Sequence, residues 1–158
     1  MSSFSHTDEQ GKPRMVDVTD KVHSIRTARA TGMLKTSKQL LVLLREGKIR
    51  KGNPLDVAKI AGIMAAKNTA HLIPLCHPLA LTHVDLSYQL LDDGIGLEAT
   101  VTAEGKTGVE MEALTAVSVA ALTLYDMCKS VDRAMTITDI ALAEKTGGRS
   151  GHYIRKKD

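Results

Sequence analysis

The sequence predicts an α+β plait, an antiparallel sheet with helices packed on one of its faces. Three observations carry this reading. Residues 95–104 place Ile95, Leu97, Ala99, Val101 and Ala103 at every second position, the period of a strand with one wet face. Residues 80–91 alternate in the same way and reach them through Asp92-Asp93-Gly94, a hairpin signal. Helical stretches at 54–70 and 110–130 flank this strand pair. The predicted order is β-α-α-β-β-α-β. It fills a single domain, residues 17–151, between a loose N-terminal arm (1–16) and a C-terminal tail (152–158).

The arm is polar, with Gly11 and Pro13 and no apolar period. Ile25 to Leu34 reads as the first strand. Leu40 to Leu44 form a short helix, capped by Ser37 and ended at Gly47. Lys48-Ile49-Arg50-Lys51-Gly52 is a basic loop. Asn53-Pro54 then starts the 54–70 helix, with Asn as cap and Pro in the first turn. Its predicted buried face is Val57, Ile60, Ala61, Met64 and Ala65. Pro74 and Pro78 bracket Cys76-His77, so 72–79 is neither helix nor central strand. After the hairpin, Gly105-Lys106-Thr107-Gly108 leads into the long, Ala-rich helix. That helix is apolar on more than one side and should be largely buried. A last strand covers 135–144, and 145–151 reads as a flexible basic segment.

The composition narrows the function. At 158 residues a real core forms without staples, and 43% apolar with 25% charged residues is ordinary for a globular chain. No uncharged apolar run approaches the ~18–20 residues that cross a bilayer, and the first residues lack the pattern of a secretory signal. A formal charge of +3 is too small to imply nucleic-acid binding by itself, but it permits an anionic small substrate. Aromatic residues make up only 3%, which argues against a surface that stacks single-stranded bases. Two cysteines, Cys76 and Cys128, do not make a disulfide framework, so a reduced cytoplasmic protein is expected.

Four groups of residues could carry chemistry. Asp126 and Lys129, three apart near the end of the long helix, form either a surface ion pair or a proton-transfer pair lining a cleft. Cys76-His77 lies in a rigid loop and either packs or touches a ligand. No zinc-ligand spacing accompanies the pair, and Cys76 is not expected to be a nucleophile. The glycine loop and the start of the long helix, with Glu110, Met111 and Glu112, serve either as a cap or as an anion site. The Walker A spacing is absent. Finally, Arg26, Lys51, Lys67, Lys129, Lys145 and Arg149 are solvated charges singly, or a polyphosphate site if the fold gathers them.

Three blocks resemble the MoaC family. The first runs from Lys51-Gly52-Asn53 through Ile60-Ala61-Gly62-Ile63 and Ala65-Ala66-Lys67 to Leu72-Ile73-Pro74-Leu75-Cys76-His77-Pro78-Leu79. The second is Lys106-Thr107-Gly108-Val109-Glu110-Met111-Glu112-Ala113-Leu114-Thr115-Ala116, followed by Ala120 to Lys129. The third is Lys145-Thr146-Gly147-Gly148-Arg149-Ser150-Gly151, and Met15-Val16-Asp17-Val18 agrees as well. The resemblance spans about residues 15–151. It implies a ferredoxin-like plait and a synthase of molybdenum cofactor biosynthesis. Such an enzyme rearranges 3′,8-cyclo-7,8-dihydro-GTP to cyclic pyranopterin monophosphate and releases diphosphate. By motif match, Asp126 is the catalytic acid/base, with Lys51 and Lys129 as essential lysines. Leu75-Cys76-His77 and Met111-Glu112 match substrate-contacting segments, with Glu110 beside them. Arg26 and Lys67 match basic positions facing the phosphates, and Arg149 stands where a Lys is expected. The resemblance further implies a homohexamer, a trimer of dimers, with sites near subunit interfaces. No resident cofactor or metal is expected, although Mg²⁺ can accompany the triphosphate.

One geometric constraint comes from the sequence itself. Glu112 and Asp126 are fourteen residues apart, which is ~21 Å in one straight helix. Either Glu112 sits in the loop, or the two face opposite ends of a long ligand, or they serve different sites across an interface. A non-catalytic nucleotide or RNA binder on the same plait is the competing reading.

Overall fold

The computed structural model describes residues 6–50, 52–149 and 151–156. Its elements are β1 (Ser24–Lys35), α1 (Lys38–Arg45), α2 (Pro54–Lys67), α3 (Thr69–Leu72), β2 (Leu81–Leu90), β3 (Gly94–Gly105), α4 (Glu110–Cys128), β4 (Thr136–Thr146) and β5 (Tyr153–Ile154). They form one sheet of order β2-β3-β1-β4-β5, with every pair antiparallel. From the β4 side the four long strands run 4-1-3-2, the arrangement of a β-α-β-β-α-β plait. The α+β expectation therefore holds.

Alternation builds the sheet. In β3, Ile95, Leu97, Ala99, Val101 and Ala103 are buried; in β1, Ala28, Ala30 and Leu34 are. The residues between them face away from the helices. There Arg29 links Glu98 (2.8 Å) and Glu144 (3.3 Å) across three strands, and Thr27 bonds Thr102 at 3.0 Å. The hairpin closes with Leu91 N–H donating to Gly94 O at 2.8 Å. α4 lies over β1, β3 and β4, while α2 lies over β2 and against α4. By length and composition α4 could span a membrane, yet Ala113, Ala116, Val117, Ala120, Ala121, Leu124 and Cys128 bury it in the core.

Both helix starts behave as read. The Ser37 side chain accepts from Leu40 N–H at 3.3 Å, and Asn53 accepts from Leu55 N–H at 3.1 Å. The buried face of α2 keeps Ala65 from the expected set and otherwise differs. Leu55, Ala58, Gly62, Ala65 and Ala66 point inward, whereas Val57, Ile60 and Met64 are 43%, 59% and 58% exposed. Small residues allow close helix approach: a Cβ at Gly62 would lie 3.0 Å from the Ala116 carbonyl and 3.4 Å from the Ala120 Cβ. Both stripes of α2 are apolar, so periodicity alone could not choose between them. The helix also ends earlier than expected. Asn68 leaves helical geometry, and α3 follows as a separate turn. At the C-terminus the correction is larger. β4 continues to Thr146, and Tyr153 and Ile154 return to pair with Lys145 and Glu144.

Candidate active site

Antiparallel register decides where the chemistry gathers. Ser24 at the start of β1 pairs with Gly105 at the end of β3, and Thr27 pairs with Thr146 at the end of β4. Three segments far apart in sequence thus end at one edge of the sheet, where α4 also begins. Together with residues 75–79 and the segment 16–24 they enclose a cleft of about 840 Å³.

The cleft is cationic with a carboxyl floor. Lys21, Arg26, Lys106, Lys145 and Arg149 line it, against the carboxyls of Glu110 and Glu112. The Arg26 guanidinium donates through Nε to Gly105 O at 2.9 Å and through Nη2 to Lys106 O at 3.1 Å. The Gly147-Gly148 turn packs on it with φ of 91° and 73°. A Cβ at Gly148 would overlap Arg26 Nη1 and come within 2.8 Å of Cζ, so any side chain there must push the guanidinium aside as well as take up a left-handed backbone. Lys145 Nζ meets Glu110 Oε1 at 2.7 Å, with both side chains about three-quarters buried.

Glu112 occupies the first turn of α4 and is only 4% exposed. Burial, foremost, pushes its carboxyl above the usual range, and the neighbouring Glu110 adds to this. Burial also raises the Cys76 thiol, with the Glu112 charge a lesser cause, so Cys76 is a neutral thiol at neutral pH. A buried carboxyl disposed to hold a proton, at the base of a cation-lined cleft, can exchange that proton with a bound anion.

The predicted site residues divide into two groups. Arg26, Leu75, Cys76, His77, Glu110, Met111 and Glu112 come together in the cleft. Asp126, Lys129 and Lys67 do not line it. Lys129 Nζ bonds Asp126 Oδ1 at 2.7 Å, but the two side chains are 50% and 65% exposed. Of the two readings the sequence leaves open, the single chain shows the surface ion pair. Leu124 and Cys128 take the inward positions of that turn, which leaves Asp126 and Lys129 facing out. Glu112 and Asp126 both lie within α4, so the ~21 Å separation stands and a loop position for Glu112 is ruled out. Lys51 lies outside the described residues.

Lys21, His23 and the wall formed by Val16, Val18 and Val22 belong to the cleft, although no chemical motif marked them. The signal available was Met15-Val16-Asp17-Val18, an apolar alternation where the loose arm meets the start of the domain. Among the described residues, no three His, Cys, Asp or Glu side chains converge as a metal site.

The comparisons with known proteins agree with this geometry in extent. The model of the MoaC family matches residues 15–148, which includes every described segment of the cleft except residue 149 and His6. The cyclic pyranopterin monophosphate synthase of Desulfitobacterium hafniense is 55% identical over 154 residues, covering 97% of this chain and 94% of that protein. That of Heliobacterium modesticaldum is 55% identical, covering 99% of this chain and 100% of that protein. The enzyme of the same name from Geobacillus kaustophilus is 51% identical, with both chains covered fully.

Proposed function

This chain belongs to the MoaC family, and on that premise we propose that it is a cyclic pyranopterin monophosphate synthase of molybdenum cofactor biosynthesis. It converts 3′,8-cyclo-7,8-dihydro-GTP to cyclic pyranopterin monophosphate and releases diphosphate. The observation that carries the reading on this chain is the cleft. Lys21, Arg26, Lys145 and Arg149, with a buried carboxyl, suit a triphosphate-bearing substrate that must also exchange protons.

In this reading Arg26 and Lys145 offset phosphate charge in the cleft, and Lys67, which lies outside the single-chain cleft, does so from a neighbouring subunit. Leu75, Cys76 and His77 form a rigid rim against the base or sugar. Glu110 holds Lys145, while Met111 and Glu112 contact the substrate. Asp126, Lys51 and Lys129 carry the acid/base steps of ring opening and reclosure. For a lysine to act as base its pKa must fall, which a dry site or neighbouring cations can cause. No resident cofactor is invoked, and Mg²⁺ accompanies the triphosphate as part of the substrate.

Of the two placements left for Glu112 and Asp126, a site shared between subunits suits chemistry at both ends of α4, because Asp126 and Lys129 lie outside the single-chain cleft. One chain's Asp126 and Lys129 then complete the cleft of another in a cytoplasmic homohexamer, a trimer of dimers. The exposed stripe of Val57, Ile60 and Met64 on α2, and Leu122 at 58% exposure on α4, support buried subunit contacts. The test is a single-turnover assay with the cyclised GTP, following diphosphate release and pterin fluorescence after oxidation. Turnover by the wild type that collapses in Asp126→Asn is expected. Binding without turnover in the wild type would move the function to nucleotide binding.

A further inference from the structure

Residues 16–23 supply much of one wall of the cleft yet belong to no helix or strand. Packing holds this segment only in part: Val16 and Val18 are half-buried, whereas Val22 is 83% exposed. Local hydrogen bonds also shape it. The Asp17 carboxylate accepts from Thr19 N–H at 2.8 Å and from Thr19 Oγ1 at 2.6 Å, and Lys21 N–H donates to Val18 O at 3.1 Å. The turn presents the Thr19 carbonyl to the body of the protein. Lys106 Nζ donates to it at 2.6 Å, bridging 87 residues of chain. The carbonyl of the same Lys106 accepts from Arg26 Nη2. Lys106 therefore links the irregular wall to the Arg26 guanidinium.

We propose that Lys106 is a positioning residue, which ties the 16–23 segment across the cleft and so completes the wall that grips the substrate. Its ammonium is engaged by a backbone carbonyl rather than directed at the phosphates. The effect on catalysis rests on the functional reading above, whereas the tether itself does not.

The experiment compares wild type, Lys106→Gln and Lys106→Arg by amide hydrogen exchange of the free protein and by steady-state kinetics. Amides of β1 from Ala28 to Leu34 serve as the internal reference. In Lys106→Gln, amides of 17–22 should exchange about three- to tenfold faster, the loss expected for one hydrogen bond of ordinary net strength. KM should rise severalfold with kcat within about twofold, because the wall grips ground state and transition state alike. Lys106→Arg should restore both, since a guanidinium can reach the same carbonyl. Unchanged exchange of 17–22 in Lys106→Gln overturns the proposal. So does a KM defect that Lys106→Arg shares while its exchange is normal, which would place Lys106 on the phosphates. A wild-type chain that does not turn over the cyclised GTP would overturn the functional reading, and the exchange comparison would still decide the tether.

Discussion

Substituting Gly148 by Ala should disable Arg26 without touching it. Gly148 has φ of 73°, and its missing Cβ faces the Arg26 guanidinium, with Cζ 2.8 Å away and Nη1 closer still. Two costs follow. A β-carbon in the left-handed region costs about 1–2 kcal/mol. The methyl also displaces the guanidinium from Gly105 O and Lys106 O, two hydrogen bonds worth about 0.5–1.5 kcal/mol each in this partly buried setting. The sum is about 2–5 kcal/mol, or a fall in Tm of roughly 4–20 °C for a domain of this size. The assay is urea or thermal unfolding of a double-mutant cycle with Arg26→Met. In the Arg26→Met background only the backbone cost should remain. The two changes should therefore fall short of additivity by about 1–3 kcal/mol, the share of the two hydrogen bonds. Additivity within ~0.5 kcal/mol, or wild-type stability of Gly148→Ala, would refute the stacking of this turn on Arg26.

Other consequences are equally direct. Mixing Glu112→Gln and Asp126→Asn chains, each inactive alone, should recover about a quarter of wild-type activity if a two-fold pair shares its sites, and none if each chain works alone. The raised carboxyl of Glu112 favours folding below the unfolded value of ~4.3, a benefit lost as pH rises through its folded value. Glu112→Gln should therefore have the higher Tm at neutral pH, with the gap closing toward pH 4; a gap independent of pH would exclude burial as the cause. Gly62→Ala gains helix propensity but pushes a methyl to 2.5 Å from Leu86 Cδ1 in a filled core, and should lose about 1–2 kcal/mol by urea titration. Cys76→Ser should keep its turnover, and Cys76 should alkylate slowly at neutral pH; a covalent substrate adduct on its Sγ would contradict both.

Periodicity and caps determined most of the fold by themselves. Alternation in β3, the Asp92-Asp93-Gly94 turn, and the caps at Ser37 and Asn53 depend on neighbours within a few residues, so the sequence displays them directly. The motif blocks likewise marked Leu75 to His77 and Glu110 to Glu112, and the family resemblance marked Arg26, before any geometry was known. The inward face of α2 was not legible, because Val57, Ile60 and Met64 are as apolar as the face that packs. Only contact with Ala116 and Ala120 on α4 selects the small-residue side. β5 was not legible either. Two residues carry no period, and they become a strand only because β4 offers an unpaired edge. The cleft itself is a product of register: pairing Ser24 with Gly105 and Thr27 with Thr146 brings distant segments together, and it draws Lys21 and Lys106 into one wall. The separation of Asp126 from Glu112 follows from helix rise and was fixed once both fell in α4. Whether a charge near the end of an apolar helix is buried depends on what packs against that turn, and Leu124 and Cys128 had already taken the inward positions.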